Sequence, residues 1–136
     1  MGIQSCRDLN VWQEAMSIAE QVYRLAAAFP SDERFGLSVQ MRRAAVSIAA
    51  NIAEGHGRET SRYYVQFLRV SQGSLKELET HLFLSQRVGL TDRQQAEPVL
   101  DECDKLGRML RSLIRAIQES RGRMTNPIPH SLFPTR

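Results

Sequence analysis

The sequence has few cysteines, few aromatic residues and no long apolar run. Cys6 and Cys103 are the only cysteines, neither belongs to a Cys-x-x-Cys pair, and only three histidines accompany them. This supply argues against a disulfide framework and against a metal site, so we expect no metal and no cofactor. No stretch of about 18 apolar residues occurs, and the N-terminus lacks the apolar segment of a signal peptide. We therefore expect a cytoplasmic protein that does not enter a membrane.

Signals for β-structure are also missing. No stretch alternates with period two, and no Asn-Gly or Asp-Gly hairpin turn occurs. The 136 residues are enough for one domain. Apolar residues instead recur at three- and four-residue spacing in four segments of about 20 to 28 residues joined by short turns. The sequence thus predicts an all-α protein, an antiparallel up-down-up-down four-helix bundle formed by residues 1–121.

The helix ends follow from capping residues, prolines and glycines. Asp8 is the expected cap of the first helix, Thr91 begins a capping box for the fourth, and Gly89 is the expected C-terminal residue of the third. The predicted helices run from Asp8 to Phe29, from Phe35 or Leu37 to Glu54, from Thr60 or Ser61 to Val88, and from about Thr91 to Arg121. Three prolines follow Gly122, so residues 122–136 are predicted to be an extended or disordered tail.

The first helix has one apolar stripe by this spacing, and we expect the stripe to face the core. Its members are Leu9, Trp12, Met16, Ala19, Val22, Tyr23 and Ala26. The second helix also has a core face, which runs from Leu37 through Met41 to Ile52. Gly55 and Gly57 are expected to end that helix.

A polar stripe follows one side of the second helix. Arg43, Ser47, Asn51, Glu54 and Arg58 fall within one narrow sector at about 100° per residue. A hydrolytic cluster of Ser47 with the nearby His56 is one interpretation, but His56 follows the predicted end of the helix, so no base is placed against the hydroxyl. We favour a structural network that holds helices or subunits in register.

The same helix has a second apolar side, which is rich in alanine. Val46, Ala49, Ala50 and Ala53 form this side, and Gly73 lies in the middle of the third helix. Small residues let two backbones approach closely, so we expect these five residues at an interface between subunits. The alternative is that the alanines serve helix propensity alone.

Positive charge is concentrated near the C-terminus. Residues 104–136 contain seven basic and two acidic residues, a local net charge of +5. Arg108, Arg111 and Arg115 follow helical spacing on the fourth helix, and Arg62 and Arg69 are seven residues apart on the third. Such lines of charge are suited to nucleic-acid phosphates, although a solvated helix face gives the same pattern. No aromatic residues alternate with these arginines, so strong sequence readout is not expected.

Three motifs resemble a known bacterial family. The run from Gln40 to Gly55 contains RRA and SIxxNIAEG, and GSLxELE follows at residues 73–79. This combination resembles the four-helix-bundle family whose members include proteins encoded in intervening sequences of 23S ribosomal RNA genes. It is also similar to the accessory variability determinant of diversity-generating retroelements. The resemblance covers residues 8–117 and implies a ring-like homopentamer with a positively charged surface. For the retroelement relative, it implies binding of nucleic acid and of a reverse transcriptase.

Three functions remain open from the sequence. The first is a non-enzymatic homo-oligomeric scaffold that binds RNA or DNA through backbone charge. The second is a protein-interaction module whose partner is a polymerase or reverse transcriptase. The third is a small helical ribonuclease in which four to six residues separate an Arg from a His, and the only match is Arg123 with His130 in the proline-containing tail. We favour the first, because that tail provides no helix to hold a catalytic pair.

Overall fold

The chain folds into four helices that follow one another along the sequence. The computed structural model describes residues 9–31 and 36–125, with side chains up to Gly122. The helices are α1 (Asn10–Ala27), α2 (Leu37–His56), α3 (Ser61–Arg87) and α4 (Arg93–Thr125). No strand occurs in the part of the chain that the structure describes, so the all-α prediction is confirmed.

The helices pack as an antiparallel bundle with a square cross-section. Each helix contacts its neighbours in the sequence, and α1 also contacts α4. Within the described ranges the diagonal pairs α1 with α3 and α2 with α4 make no close backbone approach. Helices α2 and α3 are antiparallel, because Ser85 near the end of α3 bonds to Met41 near the start of α2, whereas the earlier Ser71 bonds to the later Ile48. The seam between α1 and α2 and the seam between α3 and α4 therefore lie on opposite sides of the bundle.

The core is aliphatic and draws on all four helices. The predicted core residues of α2 are confirmed, because Met41, Ala45, Ile48 and Ile52 are fully buried. The largest fully buried side chains elsewhere are Ile18, Val22, Leu68, Leu78, Leu82, Leu106 and Leu110. Burying side chains of this kind contributes roughly 1.5–3 kcal/mol each, which makes the core the main source of stability.

Several helix ends differ from the prediction by a few residues. The N-cap of α1 is Leu9 rather than Asp8, which lies outside the described residues. The cap of α4 lies one residue later than predicted, since Asp92 Oδ1 accepts a 2.9 Å hydrogen bond from the Gln95 amide. Gly89 has φ +81°, which confirms its role after α3. Helix α4 continues to Thr125, so residues 122–125 are helical rather than part of the predicted tail. Residues 126–136 lie outside the described residues.

Gly55 has a packing role that the sequence analysis did not predict. It lies in the last turn of α2, which ends at His56 with Gly57 as its C-cap. A Cβ at this position would be 2.7 Å from Phe67 Cβ and 3.2 Å from the Tyr64 carbonyl oxygen. The glycine thus allows α2 and α3 to approach closely at this point.

Candidate nucleic-acid interface

The seam between α3 and α4 brings three predicted phosphate-binding arginines together. Arg69 lies on α3, and Arg111 and Arg115 lie one turn apart on the antiparallel α4. They line a groove of about 220 Å³, which we call the arginine groove. Its full lining is Arg69, Gln72, Arg111, Ile114, Arg115 and Gln118. Exposed arginines with glutamines between them can donate several hydrogen bonds to phosphate oxygens.

The three arginines of the groove have no acidic partner among the described residues. Arg69, Arg111 and Arg115 are exposed, and every ion pair that the structure shows involves other cations. Arg108 differs, because it pairs with Asp104 on its own helix and does not line the groove. Arg62 is exposed on α3 but also lies outside the groove lining. Three of the five predicted arginines are therefore brought together and two are not.

A second surface lies on the opposite side of the bundle, along the seam between α1 and α2. This apolar groove has a volume of about 710 Å³ and contains four of the five residues predicted at a subunit interface. Its lining is Trp12, Met16, Ala19, Glu20, Tyr23, Arg24, Val46, Ala49, Ala50 and Ala53. The groove faces solvent in the single chain. A surface of this kind is typical of a contact with another protein molecule.

The α1 side of the apolar groove corrects the sequence analysis. The sequence analysis placed Met16 and Tyr23 in the core. This is wrong, because Met16 is 37% exposed and Tyr23 is 49% exposed. The buried side of α1 contains Val11, Ala15 and Ile18 instead. Residues at three- and four-residue spacing can lie on either of two adjoining helix faces, and only packing distinguishes the two. Gly73 is exposed on α3, away from this groove, and a Cβ there would meet nothing within 4 Å.

The polar stripe of α2 separates into two parts. Ser47 Oγ is 2.8 Å from Ser74 Oγ on α3, and Asn51 Nδ2 donates to the Ser47 carbonyl at 2.8 Å. Glu54 pairs with Arg58 one turn later, and both side chains are exposed. The first part joins α2 to α3, as a structural network requires, whereas the second is a surface ion pair.

Arg43 completes the predicted stripe but is not joined to it. Its side chain is exposed, and it has no ion pair or hydrogen bond with any other described residue. His56 lies edge-on to Tyr64 with ring centroids 5.8 Å apart. The described residues show no hydrogen bond from His56 to Ser47, whose hydroxyl is engaged with Ser74 and Asn51. The arrangement therefore shows none of the nucleophile and base geometry of a hydrolase.

A partly buried polar cluster joins α1 to α4. Glu102 Oε1 accepts a hydrogen bond of 3.0 Å from Gln21 Nε2, and Lys105 Nζ is 3.5 Å from Glu14 Oε1. The Glu14 side chain is only 13% exposed, and its other carboxylate oxygen is buried with no hydrogen bond to any residue that the structure describes. Burial, and next the neighbouring Glu102, raise the pKa of Glu14 above its usual 4.5. The sequence analysis did not identify this cluster, because its members are on different helices.

The described residues contain neither a group of metal ligands nor a membrane-spanning helix. No three His, Cys, Asp or Glu side chains there are grouped as a metal ion requires. None of the helices combines the length and hydropathy of a membrane span. The Arg123 and His130 side chains of the possible ribonuclease motif lie outside the described residues.

Comparisons with known proteins agree with this architecture. The family model described as 23S rRNA-intervening sequence protein matches residues 7–112. The chain is also similar to a crystal structure from Bacteroides thetaiotaomicron, a protein with unknown function from the S23 ribosomal protein family. The two chains are 23% identical with a TM-score of 0.69, and the match covers 76% of this chain and 97% of the other. No curated protein matches the chain.

Proposed function

The chain belongs to the 23S rRNA-intervening sequence protein family, and we propose that it is a non-enzymatic scaffold for nucleic acid. The proposed scaffold is a homo-oligomer that binds the backbone of RNA or DNA without strong sequence readout. The family resemblance implies that this oligomer is a ring-like pentamer. It works inside the cell, as expected from the sequence, and needs no cofactor.

The observation that carries this proposal is the arginine groove. Arg69, Arg111 and Arg115 come from two helices and face one groove, and no described carboxylate neutralises them. Arg108, in contrast, is paired with Asp104 on its own helix. Unpaired guanidinium groups in one groove favour binding of phosphate, because each contact releases a condensed counterion.

The position of the apolar groove supports the oligomeric part of the proposal. It lies on the opposite side of the bundle from the arginine groove. The two grooves share no residue, so a contact made by the apolar groove of one subunit does not cover the arginines of that same subunit. A ring then repeats the positive groove in every subunit, which strengthens the local potential and the attraction of a polyanion.

A salt titration tests the proposed function. Binding of a labelled RNA should weaken steeply as salt rises, and replacing Arg69, Arg111 and Arg115 together by Gln should reduce the slope by about one unit for each lost phosphate contact. The matched control replaces three exposed arginines outside both grooves, Arg58, Arg87 and Arg93, and gives the same change of net charge. The control should keep most of the wild-type slope. Equal loss in both variants would assign the binding to net charge alone and contradict the groove.

The apolar groove also favours a second candidate, the protein-interaction module. Met16 and Tyr23 are exposed beside the half-buried Trp12, and such aromatic and aliphatic surfaces are common at protein interfaces. A polymerase or reverse transcriptase is the partner class that the resemblance implies. Absence of binding to any nucleic acid at low salt, together with an intact oligomer, would favour this candidate over the first.

A further inference from the structure

Helix α3 has an exposed apolar surface of its own. Tyr63, Val70 and Leu84 are exposed and lie at multiples of seven residues from one another, and Val88 follows one turn later. Residues at this spacing lie on one side of a helix. We call these four residues, together with Glu77 between Val70 and Leu84, the α3 line. The line faces away from the core, because the buried residues of α3 occupy other positions.

The exposed apolar side chains of the described residues are concentrated on two surfaces. Eight large apolar side chains are exposed there, and three of them, Met16, Tyr23 and Val46, line the apolar groove. The other five lie on α3, where four belong to the α3 line and Phe83 lies about 100° around the helix from its neighbour Leu84. Apolar side chains grouped in this way mark a surface that contacts another molecule.

The two surfaces cannot cover each other within one chain. The apolar groove is lined by α1 and α2 alone, and α3 is separated from α1 by the diagonal of the bundle. The α3 line also shares no residue with the arginine groove. A second copy of the chain can therefore bring its α3 line to the apolar groove, and the contact uses none of the residues that line the arginine groove.

The shapes of the two surfaces are complementary. The groove is a trough between two helices, and its lining includes four alanines, which let another helix approach closely. The α3 line is a ridge on a single helix. Trp12 to Tyr23 spans about 16 Å along α1, and Val70 to Leu84 spans about 21 Å along α3. A helix that lays an apolar side into a groove is a common mode of protein recognition.

The charges of the two surfaces are complementary as well. Glu77 is the only charged residue of the α3 line, and its side chain is 53% exposed. At one end of the groove, Arg42 lies over the Tyr23 ring at 5.7 Å, and Arg43 lines the same adjoining pocket. Neither arginine pairs with a carboxylate in the described part of the chain. Glu77 of a second copy supplies the charge that this end of the groove lacks.

We propose that the apolar groove of one subunit takes the α3 line of a second copy of this chain. The inference rests on the oligomeric part of the proposed function and names the surface that fills the groove. Such a contact joins two different surfaces, so it builds a ring or an open chain of subunits. Contact between two apolar grooves would instead form a dimer and leave the α3 line exposed.

Mixing two variants tests the inference. Ala50→Glu places a charge in the groove, and Leu84→Glu places one in the α3 line at a position that is 44% exposed. Each variant alone should have the mass of a single chain in light scattering, because a charge desolvated on association opposes the contact. An equal mixture should form a dimer of twice 15.5 kDa. In that dimer the intact line of Ala50→Glu fits the intact groove of Leu84→Glu.

Two further variants control this measurement. Phe83→Glu changes the residue next to Leu84, which is 55% exposed but lies outside the α3 line, so the wild-type mass should be kept. Val70→Glu, at a second exposed position of the line, should form the dimer with Ala50→Glu and none with Leu84→Glu. Circular dichroism melting identifies the variants that are folded, and the two line variants provide independent readings of the same contact.

The outcomes separate the inference from the proposed function. If the wild type has the mass of a single chain, the oligomeric part of the proposed function fails and this inference fails with it. If the wild type associates and both line variants keep its mass, the oligomer stands and the α3 line is wrong. A mixture of Ala50→Glu and Leu84→Glu that stays at the mass of one chain also contradicts the inference, because groove and line would then bind different surfaces. RNA binding in the salt titration is measured independently of all three.

Discussion

Gly55 and Gly73 both lie inside helices, but their surroundings are opposite. A Cβ on Gly55 would be 2.7 Å from Phe67 Cβ, whereas a Cβ on Gly73 would meet nothing within 4 Å. Atoms this close to the backbone cannot move aside easily, so alanine at Gly55 must push α2 and α3 apart. Alanine at Gly73 removes only the backbone freedom of glycine in a helix.

We therefore predict opposite effects of the two substitutions on stability. Gly55→Ala should lower the free energy of unfolding by about 1–3 kcal/mol, and Gly73→Ala should raise it by up to about 1 kcal/mol. Urea unfolding followed by circular dichroism measures both. A loss of stability in Gly73→Ala, accompanied by a lower oligomer mass, would show that the residue lies at a subunit contact. Equal effects in both variants would contradict the packing described for Gly55.

At the scale of the elements, ionisation of Glu14 in the seam between α1 and α4 should make the free energy of unfolding fall as the pH rises. The pKa of Glu14 is raised, first by burial and then by Glu102, while Lys105 lowers it in part. A carboxyl group whose pKa is raised by folding disfavours the folded state once it ionises. Its effect is absent below its unfolded pKa near 4.5, grows as the pH rises through the folded pKa, and is constant above it.

Glu14→Gln should remove this dependence. The free energy of unfolding of the variant, relative to the wild type, should increase as the pH is raised from 4 to 7, because glutamine cannot ionise. Glu20→Gln is the matched control, since Glu20 is exposed on the same helix and pairs with Arg24. A constant difference for Glu14→Gln would show that the carboxyl group ionises normally in the folded protein.

Sequence spacing predicted the helices more reliably than their contacts. Four helices, their order and the turn at Gly89 follow from local signals, and the predicted ends lie within a few residues of those observed. Spacing could not tell that Tyr23 faces outward or that Arg69 lies opposite Arg115, because both depend on how neighbouring helices are aligned. Arg108 fits the same line as Arg111 but is paired on its own helix. The arginine groove is thus a property of the seam between two helices, which no single helix reveals.

At the scale of the whole molecule, the apolar groove predicts self-association. Light scattering should give a mass that is a multiple of 15.5 kDa and larger than a dimer. Ala50→Glu should reduce this mass, since Ala50 is exposed in the groove and a charge there is desolvated on association. Ala27→Glu is the control, at an exposed position outside the groove. A mass near 15.5 kDa for the wild type at micromolar concentration would contradict self-association and would favour a different protein as the partner of the apolar groove.

The buried thiol of Cys103 can report how often the helix bundle opens. Its thiol is 0% exposed in the core, and burial, assisted by nearby carboxylates, raises its pKa to about 12. The thiol is therefore protected from alkylating reagents both sterically and by the scarcity of thiolate. Once Cys6 is replaced by Ser, the rate at which Cys103 is labelled measures how often the helices separate. Such labelling reports the opening of one protomer even while it remains part of a larger assembly.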